Sequence, residues 1–415
     1  MTTAVVRHQS IDVVRGFAVL GILLMNIVGM GLPTFAYIDP TYLGDLEGAN
    51  YWVWAVNFVL TDGKMRGLFT MLFGASMLLI ADRAEGRTPG PAATHYRRMF
   101  WLFVFGMIHA YFLFFGDILV CYAIAGAIAF SLRRLSPGWL IGLGVLILLA
   151  LLAKGLMGAW DLQALQAAVA SGAATPAQAR AWADAQLFLN APESMGREEI
   201  AWMTGDFFSA LKSRARTALI VQVGYLPFDA IPEAIGQMLI GAGLFRTGFF
   251  TLRWSSRSYG VLIAVGYLIA APVAAWLAWS MTKAGFEPVQ RHYLEVLGAA
   301  PRPLIALAHA SLLLLVVRAG ALAVLVNRLE AAGRMAFSNY LMTSIITAFV
   351  FCGFGLGLYG QLERYELYYV VAGVWAFILL WSRPWLAVFH YGPFEWAWRS
   401  LVMWKPQPFL KRSSA

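Results

Sequence analysis

The sequence has little charge for its length. Only 13% of its 415 residues are Asp, Glu, Lys or Arg, whereas 60% are hydrophobic and the mean hydropathy is +0.67. Soluble globular chains carry about 25% charged residues, so this composition excludes an ordinary water-soluble protein. It is typical of a membrane protein built from helices of about 20 apolar residues each.

Cysteines and metal-binding motifs are also scarce. The two cysteines, Cys121 and Cys352, both fall in apolar segments, and free thiols are favoured over a disulfide. No CxxC or HExxH spacing occurs, so the sequence predicts no metal. The net charge of +9 is explained by faces that meet anionic lipid headgroups. We therefore expect membrane lipids as partners and no nucleic acid.

Apolar segments predict an all-α, polytopic integral membrane bundle of about ten transmembrane helices. They lie at residues 13–31, 67–80, 99–115, 118–132, 139–157, 218–245, 259–279, 304–326, 335–354 and 367–386. The sixth segment contains Pro227 and Pro232, so we expect it to be broken or to begin as an interfacial helix. Polar residues interrupt the first segment, which favours a retained span over a cleaved signal peptide.

The distribution of basic residues predicts the orientation. An even number of spans puts both termini on one side, and that side holds 18 of the 31 Lys and Arg residues, including Arg7 and Arg412. The positive-inside rule makes this side cytoplasmic. The predicted regions are a five-helix membrane part (1–157), an extracytoplasmic loop with amphipathic helices (158–212), a second five-helix membrane part (213–390) and a cytoplasmic interfacial segment (391–415).

The long extracytoplasmic loop carries one clear local signal. Thr175, Pro176 and Gln178 match an N-cap, a first helical position and the partner of a capping box. We expect a helix to begin there. The loop fits a lid over an outer cleft or a simple connector.

His109 is the first candidate for chemistry, because a titratable side chain inside a membrane is costly. It lies ten residues into the third segment, about 15 Å deep. A tight turn then brings back Asp117, whose carboxylate can orient an imidazole that acts as a general base. The alternative is a buried structural histidine, with Asp117 as an N-cap.

Polar clusters mark both ends of the early segments. Asp62, Lys64 and Arg66 lie at the outer mouth of the second segment and fit either an anion or carbonyl site or an interfacial salt-bridge patch. Asp12 and Arg15 share one helix face at the cytoplasmic end of the first segment, where they can pair or bind phosphate. Asn26 lies three turns further along nearly the same face.

Later segments hold further ionisable residues. Asp229 and Glu233 are four apart beside the prolines and fit either a proton or cation relay or the outer interface. His309 and Arg318 face similar directions in the eighth segment, and we expect a carboxylate from another helix to pair with Arg318.

Four blocks carry a family resemblance. They are residues 11–26, residues 63–74, His109 with Gly116-Asp117-Ile118-Leu119, and Gly333-Arg334-Met335-Ala336 to Asn339-Tyr340 followed by residues 391–399. With these blocks the chain resembles the YeiB-like family of bacterial membrane proteins of unknown function (domain of unknown function 418).

That family is similar in turn to a wider superfamily of transmembrane acyltransferases, and Asp12, Arg15, Gly16 and Asn26 match the first-span pattern of its lysosomal members. The resemblance implies transfer of an acyl group, in particular acetyl, from a cytoplasmic acyl-CoA to a sugar or lipid acceptor across the bacterial inner membrane. The lysosomal members have a histidine soon after the first span, whereas residues 31–66 contain none here, so His109 would take that role.

The hypothesis assigns roles accordingly, with His109 and Asp117 as the catalytic pair. Acceptor binding falls to Asn26, Asp62, Lys64, Arg66, Asn339 and Tyr340, and coenzyme A binding to Asp12, Arg15 and Arg334. Glu395, Trp396 and Arg399 belong to an interfacial helix in which Glu395 is expected to pair with Arg334 or Arg383. A transporter or lipid flippase that uses Asp229 and Glu233 is the alternative, and a scaffold in the envelope is a third. The sequence predicts no oligomeric state.

Overall fold

The computed structural model describes residues 8–411 and is helical almost throughout. Within that range there is no strand, and one isolated backbone bridge pairs Phe389 with Leu410. The all-α prediction is therefore confirmed. Arg7 and Arg412, which entered the count of basic residues, lie outside the described range.

The helices are numbered here in chain order. They are α1 (Gln9–Gly31), α2 (Phe35–Ile38), α3 (Gly48–Leu60), α4 (Lys64–Ala84), α5 (Pro91–Phe112), α6 (Leu119–Ser131), α7 (Pro137–Ala170), α8 (Pro176–Leu189), α9 (Glu193–Met203), α10 (Phe207–Ile220), α11 (Ile231–Arg246), α12 (Ser256–Ala264), α13 (Ala271–Lys283), α14 (Pro288–Leu297), α15 (Arg302–Arg318), α16 (Ala323–Arg334), α17 (Ala336–Phe351), α18 (Leu367–Val388) and α19 (Pro393–Met403). Two π-helical segments, Val221–Ala230 and Val265–Ala270, join α10 to α11 and α12 to α13.

Within residues 8–411, six helical stretches are long and apolar enough to cross a membrane, so the chain has the character of a multi-pass membrane protein. They are Gln9–Gly31, Gly48–Ala84, Pro137–Ala170, Phe207–Arg246, Ser256–Lys283 and Leu367–Val388. The pair α14 and α15, bent by 49°, makes a seventh if it is counted as one span. A helix overlaps each of the ten predicted segments, but α6 and α17 are shorter apolar helices. The ten-span count and the side of the termini stay predictions.

The sixth predicted segment does not break at its prolines. Pro227 lies inside the π-helical segment, and the helix runs on from Phe207 to Arg246. Proline has no N–H to donate, and the wider i to i+5 turn accommodates the missing bond. The expected break is therefore wrong for the described backbone.

The predicted loop at residues 158–212 is largely helical. It contains the end of α7, all of α8 and α9, and the start of α10. The capping box is present, because Gln178 N donates to Thr175 Oγ1 and Thr175 N donates to Gln178 Oε1. That prediction is confirmed.

Two glycines bring α1 and α16 into backbone contact. A Cβ atom on Gly16 would lie 2.0 Å from the carbonyl oxygen of Leu329, and one on Gly333 would lie 1.8 Å from that of Asp12. Only residues without a side chain allow helices to approach this closely. The crossing places Asp12 and Arg15 on α1 near Arg334, which follows Gly333.

We predict that Gly333→Ala destabilises the protein. The added methyl group would meet the α1 backbone, which cannot yield as a flexible side chain does, and such overpacking costs about 1–3 kcal/mol. The melting temperature of the detergent-solubilised protein measures the effect. Gly260→Ala on α12 is the matched control, because no atom lies within 4 Å of its added Cβ. Equal melting temperatures for the two variants would contradict the close packing.

Candidate functional site

One cavity is strongly basic. It has a volume of about 720 Å³ and is lined by helices α1, α4, α5, α6, α16, α17 and α19. Its ionisable lining consists of six arginines, three histidines and two acids: Arg15, Arg83, Arg87, Arg98, Arg334, Arg399, His8, His95, His390, Asp12 and Glu395. We call it the basic cavity.

The six arginines outnumber the two acids. Asp12 is paired with Arg15 at 2.8 Å, and Arg15 also donates to Ser76. Burial, Arg83 and Arg253 lower the pKa of His8 at the entrance of α1. An excess of fixed positive charge in a walled space attracts anions.

Two of the arginines stack on aromatic rings. The Arg98 guanidinium lies 4.0 Å from the ring centre of Trp398, and that of Arg399 lies 4.6 Å from the ring centre of Tyr391. A stacked guanidinium keeps its N–H edge available, and that edge matches phosphate oxygens. The basic cavity is therefore suited to a phosphorylated ligand.

A second cavity, of about 570 Å³, lies further along α1 and has a different lining. Eight aromatic side chains contribute to it: Phe35, Tyr37, Phe114, Phe115, Tyr122, Phe188, Trp202 and Tyr225. Among them are polar groups, namely Asn26, Arg66, Asp117, Arg216, Glu198, Glu199, Glu233 and Gln237. We call it the aromatic cavity.

Several of these polar groups are already partnered. Arg66 is paired with Glu233 at 2.9 Å, and Glu233 also accepts from Gln237. Glu199 accepts from the hydroxyl groups of Thr34 and Tyr359. Aromatic faces combined with fixed hydrogen-bonding groups suit a polar organic ligand.

The two cavities meet end to end at a thin wall. Along α1, residues 8–22 line the basic cavity and residues 22–29 line the aromatic cavity. Ile22, Ile118 and Tyr122 line both. The Tyr122 hydroxyl is fixed by Thr70 at 2.5 Å, so a defined polar group lies in the wall.

The predicted contact between His109 and Asp117 is present beside this wall. His109 Nδ1 lies 2.8 Å from Asp117 Oδ1, and the imidazole is 1% exposed. Val120 N donates to Asp117 Oδ2, so the carboxylate also caps the start of α6. Gly106 permits the close approach, because a Cβ atom there would lie 2.6 Å from Val120 N.

The second ring nitrogen has a partner that the sequence did not reveal. His109 Nε2 lies 2.8 Å from the hydroxyl oxygen of Ser344 on α17. In a neutral imidazole one nitrogen donates and the other accepts. When Nδ1 donates a hydrogen bond to Asp117, Nε2 accepts a hydrogen bond from the Ser344 hydroxyl group. His109 itself lines neither cavity, whereas Asp117 lines the aromatic one.

The other predicted site residues divide among several places. Asp12, Arg15 and Arg334 come together in the basic cavity, as does Tyr340, whose ring centre lies 4.9 Å from that of His109. Arg66 and Asn26 line the aromatic cavity.

The remaining predicted acceptor residues line neither cavity. Asp62 accepts from the hydroxyl group of Tyr37, and Lys64 is buried and donates to the carbonyl oxygen of Phe58. The fully buried Asn339 bonds to Ala332, Ser382 and Trp381, so three of the four hydrogen-bonding positions of its amide are used within the protein.

Asp229 and Glu233 each have a different cationic partner. Asp229 is about half exposed and binds Lys154, whereas Glu233 faces the aromatic cavity and binds Arg66. His309 bonds to the Tyr267 hydroxyl and the Leu60 carbonyl.

The prediction that a carboxylate from another helix pairs with Arg318 is wrong. Its guanidinium donates to the hydroxyl group of Ser256 and to the carbonyl oxygens of Leu252 and Trp254. Exposed carbonyl oxygens in the loop before α12 satisfy the charge without an acid.

The prediction that Glu395 pairs with Arg334 or Arg383 is also wrong. Its carboxylate accepts from the backbone N–H groups of Phe337 and Ser338 and from the Ser338 hydroxyl, at the start of α17. A helix N-terminus offers unpaired N–H groups and a positive dipole end, which a carboxylate satisfies. Burial raises the pKa of the Glu395 carboxyl, although these hydrogen bonds act in the opposite direction.

The hydrogen bonds of Glu395 to Phe337 and Ser338 hold α19 against the start of α17, beside the basic cavity. Trp398 and Arg399 of this helix line the cavity. Trp396 faces elsewhere, where its indole donates to the carbonyl oxygen of Gln407.

Sequence reasoning missed several residues of the site. Ser344 belongs to a polar stripe on α17, with Thr343 and Thr347 at helical spacing in an otherwise apolar segment, and that stripe was the available signal. Arg83, Arg87 and Arg98 entered only the count of cytoplasmic charges, although all three line the basic cavity.

The fold and site define a helical, multi-pass membrane protein with two cavities that meet at a buried polar wall. The family model described as "Protein of unknown function (DUF418)" matches residues 244–405. The chain is 31% identical to the uncharacterized protein YeiB of Escherichia coli (strain K12), over 98% of this chain and 99% of that protein. The chain belongs to this YeiB-like DUF418 family.

Two further relatives are similar along their whole length. The chain is 26% identical to the uncharacterized protein YxaH of Bacillus subtilis (strain 168), over 97% of this chain and 96% of YxaH. It is 23% identical to an uncharacterized 39.9 kDa protein in the amylase 3' region of Bacillus acidopullulyticus, over 99% and 97% of the two chains. No solved structure matches the chain.

We predict that Glu395→Ala loosens α19. The substitution leaves the Phe337 and Ser338 N–H groups without their acceptor, which costs about 1–3 kcal/mol. Trypsin should then cleave faster after Arg399 in α19, as measured by the rate of loss of the intact chain. Glu330→Ala is the control, because Glu330 accepts only an exposed bond from Gln9. Unchanged cleavage in Glu395→Ala would contradict the anchoring role.

Proposed function

We propose that this protein is an acyltransferase of the bacterial inner membrane. It moves an acyl group, in particular acetyl, from a cytoplasmic acyl-CoA to a sugar or lipid acceptor on the other side of the membrane. The observation that supports this most is the pair of dissimilar cavities that meet at one wall beside His109 and Asp117. Each cavity suits one of two substrates that never need to cross the membrane.

The proposed orientation puts the basic cavity on the cytoplasmic side. This agrees with ten spans, with both termini in the cytoplasm and with the positive-inside rule. Arg98 and Arg399 on aromatic rings, with Arg15 and Arg334 nearby, would bind the phosphates of coenzyme A. The ten residues of α1 from Asp12 to Ile22 rise about 15 Å, so the pantetheine arm would carry the thioester to the wall.

The acceptor would bind in the aromatic cavity. Sugar rings pack on aromatic faces, and the carboxylates and amides of this cavity can accept from their hydroxyl groups. The cavity is also lined by Ile220 at the end of α10 and Val221 at the start of the π-helical segment, and Ile220 is an exposed apolar side chain that would face lipid. A lipid-linked acceptor would enter from that side.

The chemistry is a transfer between two heteroatoms. In the net reaction the C–S bond of the thioester breaks, a C–O bond to the acceptor hydroxyl oxygen forms, and coenzyme A leaves as the thiol. The imidazole of His109 would accept the hydroxyl proton and pass it to the departing sulfur. Asp117 holds the ring in one tautomer and stabilises the imidazolium that forms in between.

We predict that His109→Ala abolishes acyl transfer. Loss of a general base lowers a rate by about 10²- to 10⁴-fold. Inverted membrane vesicles that contain the wild-type or variant protein are incubated with isotope-labelled acetyl-CoA, and label is followed into lipid, glycan and protein fractions. Label in an acceptor fraction with wild type only is the expected result.

His309→Ala is the matched control for this assay. His309 is also a buried histidine with both ring nitrogens bonded, but it lines neither cavity. Its variant should keep transfer. Transfer at the wild-type rate in His109→Ala would contradict the mechanism, and no label in any acceptor fraction with wild type would contradict the function.

A flippase is the second candidate, because the Arg66–Glu233 pair in the aromatic cavity resembles a gate beside a π-helical segment. It predicts that proteoliposomes move NBD-labelled phosphatidylglycerol between leaflets faster than protein-free liposomes, as followed by dithionite quenching. Glu233→Gln would stop this movement, and Asp229→Asn, outside both cavities, would not. The acyltransferase predicts no acceleration by wild type.

A further inference from the structure

The bonds of His109 extend to a hydroxyl group. Asp117 Oδ1, His109 Nδ1, His109 Nε2 and Ser344 Oγ form a chain with 2.8 Å at each heteroatom contact. A carboxylate, an imidazole and a hydroxyl in this order activate a serine in unrelated hydrolases and transferases. The carboxylate fixes the tautomer, so that the free nitrogen can remove the hydroxyl proton.

Ser344 is the one serine with this environment among residues 8–411. Ser311, another fully buried serine of an apolar helix, has no hydrogen-bond partner for its hydroxyl group. Ser338 donates to Glu395, which holds a helix end. No other described serine has a hydrogen bond to a histidine ring.

The chain of three residues is connected to both cavities through Asp117 and Tyr340. Asp117 lines the aromatic cavity, and Tyr340, one helical turn before Ser344 on α17, lines the basic cavity. Tyr340 also packs on the imidazole. A group attached to Ser344 would therefore lie between the donor and acceptor sites.

We propose, on the basis of the function proposed above, that Ser344 carries the acyl group between the two substrates as a covalent ester. Transfer then has two steps, and the donor and the acceptor never need to occupy the wall together. This explains why the histidine is buried behind the wall rather than exposed in a cavity. Burial of Ser344, which is 1% exposed, would also protect the ester from water.

Both steps balance with the residues present. In the first, Ser344 Oγ attacks the thioester carbonyl, His109 Nε2 takes the hydroxyl proton, the C–S bond breaks, and the proton passes to the departing thiolate. In the second, an acceptor hydroxyl attacks the Ser344 ester and gives its proton to His109. The bond to Ser344 Oγ breaks, and the proton returns to that oxygen. No metal, oxidant or further reactant is required.

The test is to trap the ester. Detergent-purified wild-type protein without acceptor is incubated with labelled acetyl-CoA, and the site of label is read by peptide mass spectrometry. We expect label on Ser344 that hydroxylamine removes at alkaline but not at neutral pH. Ser344→Cys should instead form a thioester, which neutral hydroxylamine cleaves, and Ser344→Ala should take up no label.

Ser311→Ala is the matched control and should be labelled on Ser344 as wild type is. Size-exclusion profiles show whether each variant is folded. If Ser344→Ala does not fold, Ser344→Cys still tests the proposal. Vesicle assays separate the two proposals. Acceptor labelling by Ser344→Ala at the wild-type rate would overturn the covalent step and leave the acyltransferase intact. Absence of any acceptor labelling by wild type would overturn both.

Discussion

A polar group buried in a membrane protein must find its partner within the protein, and this constraint organises the structure. The pair of His109 and Asp117 meets it with three hydrogen bonds, to each other, to Ser344 and to the backbone of Val120. Those contacts fix α5, α6 and α17 relative to one another. The wall between the cavities is held by the same bonds that would perform the chemistry.

The same constraint explains the partners of other charged residues. Arg318 donates to loop carbonyl oxygens, Glu395 accepts from the N–H groups at the start of α17, and Arg66 forms an ion pair with Glu233. In the basic cavity six arginines share one space with two acids. Such an excess of positive charge is costly, and a bound anion would reduce that cost. That imbalance favours a phosphorylated ligand.

Local features could be predicted from the sequence. The hydrophobic segments gave the all-helical fold, the tight turn after α5 gave the contact between His109 and Asp117, and Thr175 with Gln178 gave the start of α8. Each depends on residues close together in the chain. The ten-span topology and the roles of the site residues remain predictions.

Features that depend on distant contacts could not be predicted. Ser344 meets His109 across 235 positions of sequence, and no spacing rule connects them. Asp62, Lys64 and Arg66 form one cluster in the sequence, yet Gly63 has a positive φ and α4 begins directly after it. Residues two apart on a helix face different directions, so Lys64 is buried while Arg66 reaches the aromatic cavity.

The most direct test of the account is a structure of the protein with a non-hydrolysable thioether analogue of acetyl-CoA. The account predicts phosphate density beside Arg98 and Arg399 in the basic cavity, and the acyl end at the wall near Ile118 and Tyr122, on the side of His109. An analogue bound in the aromatic cavity, or phosphates bound away from the arginine cluster, would contradict it.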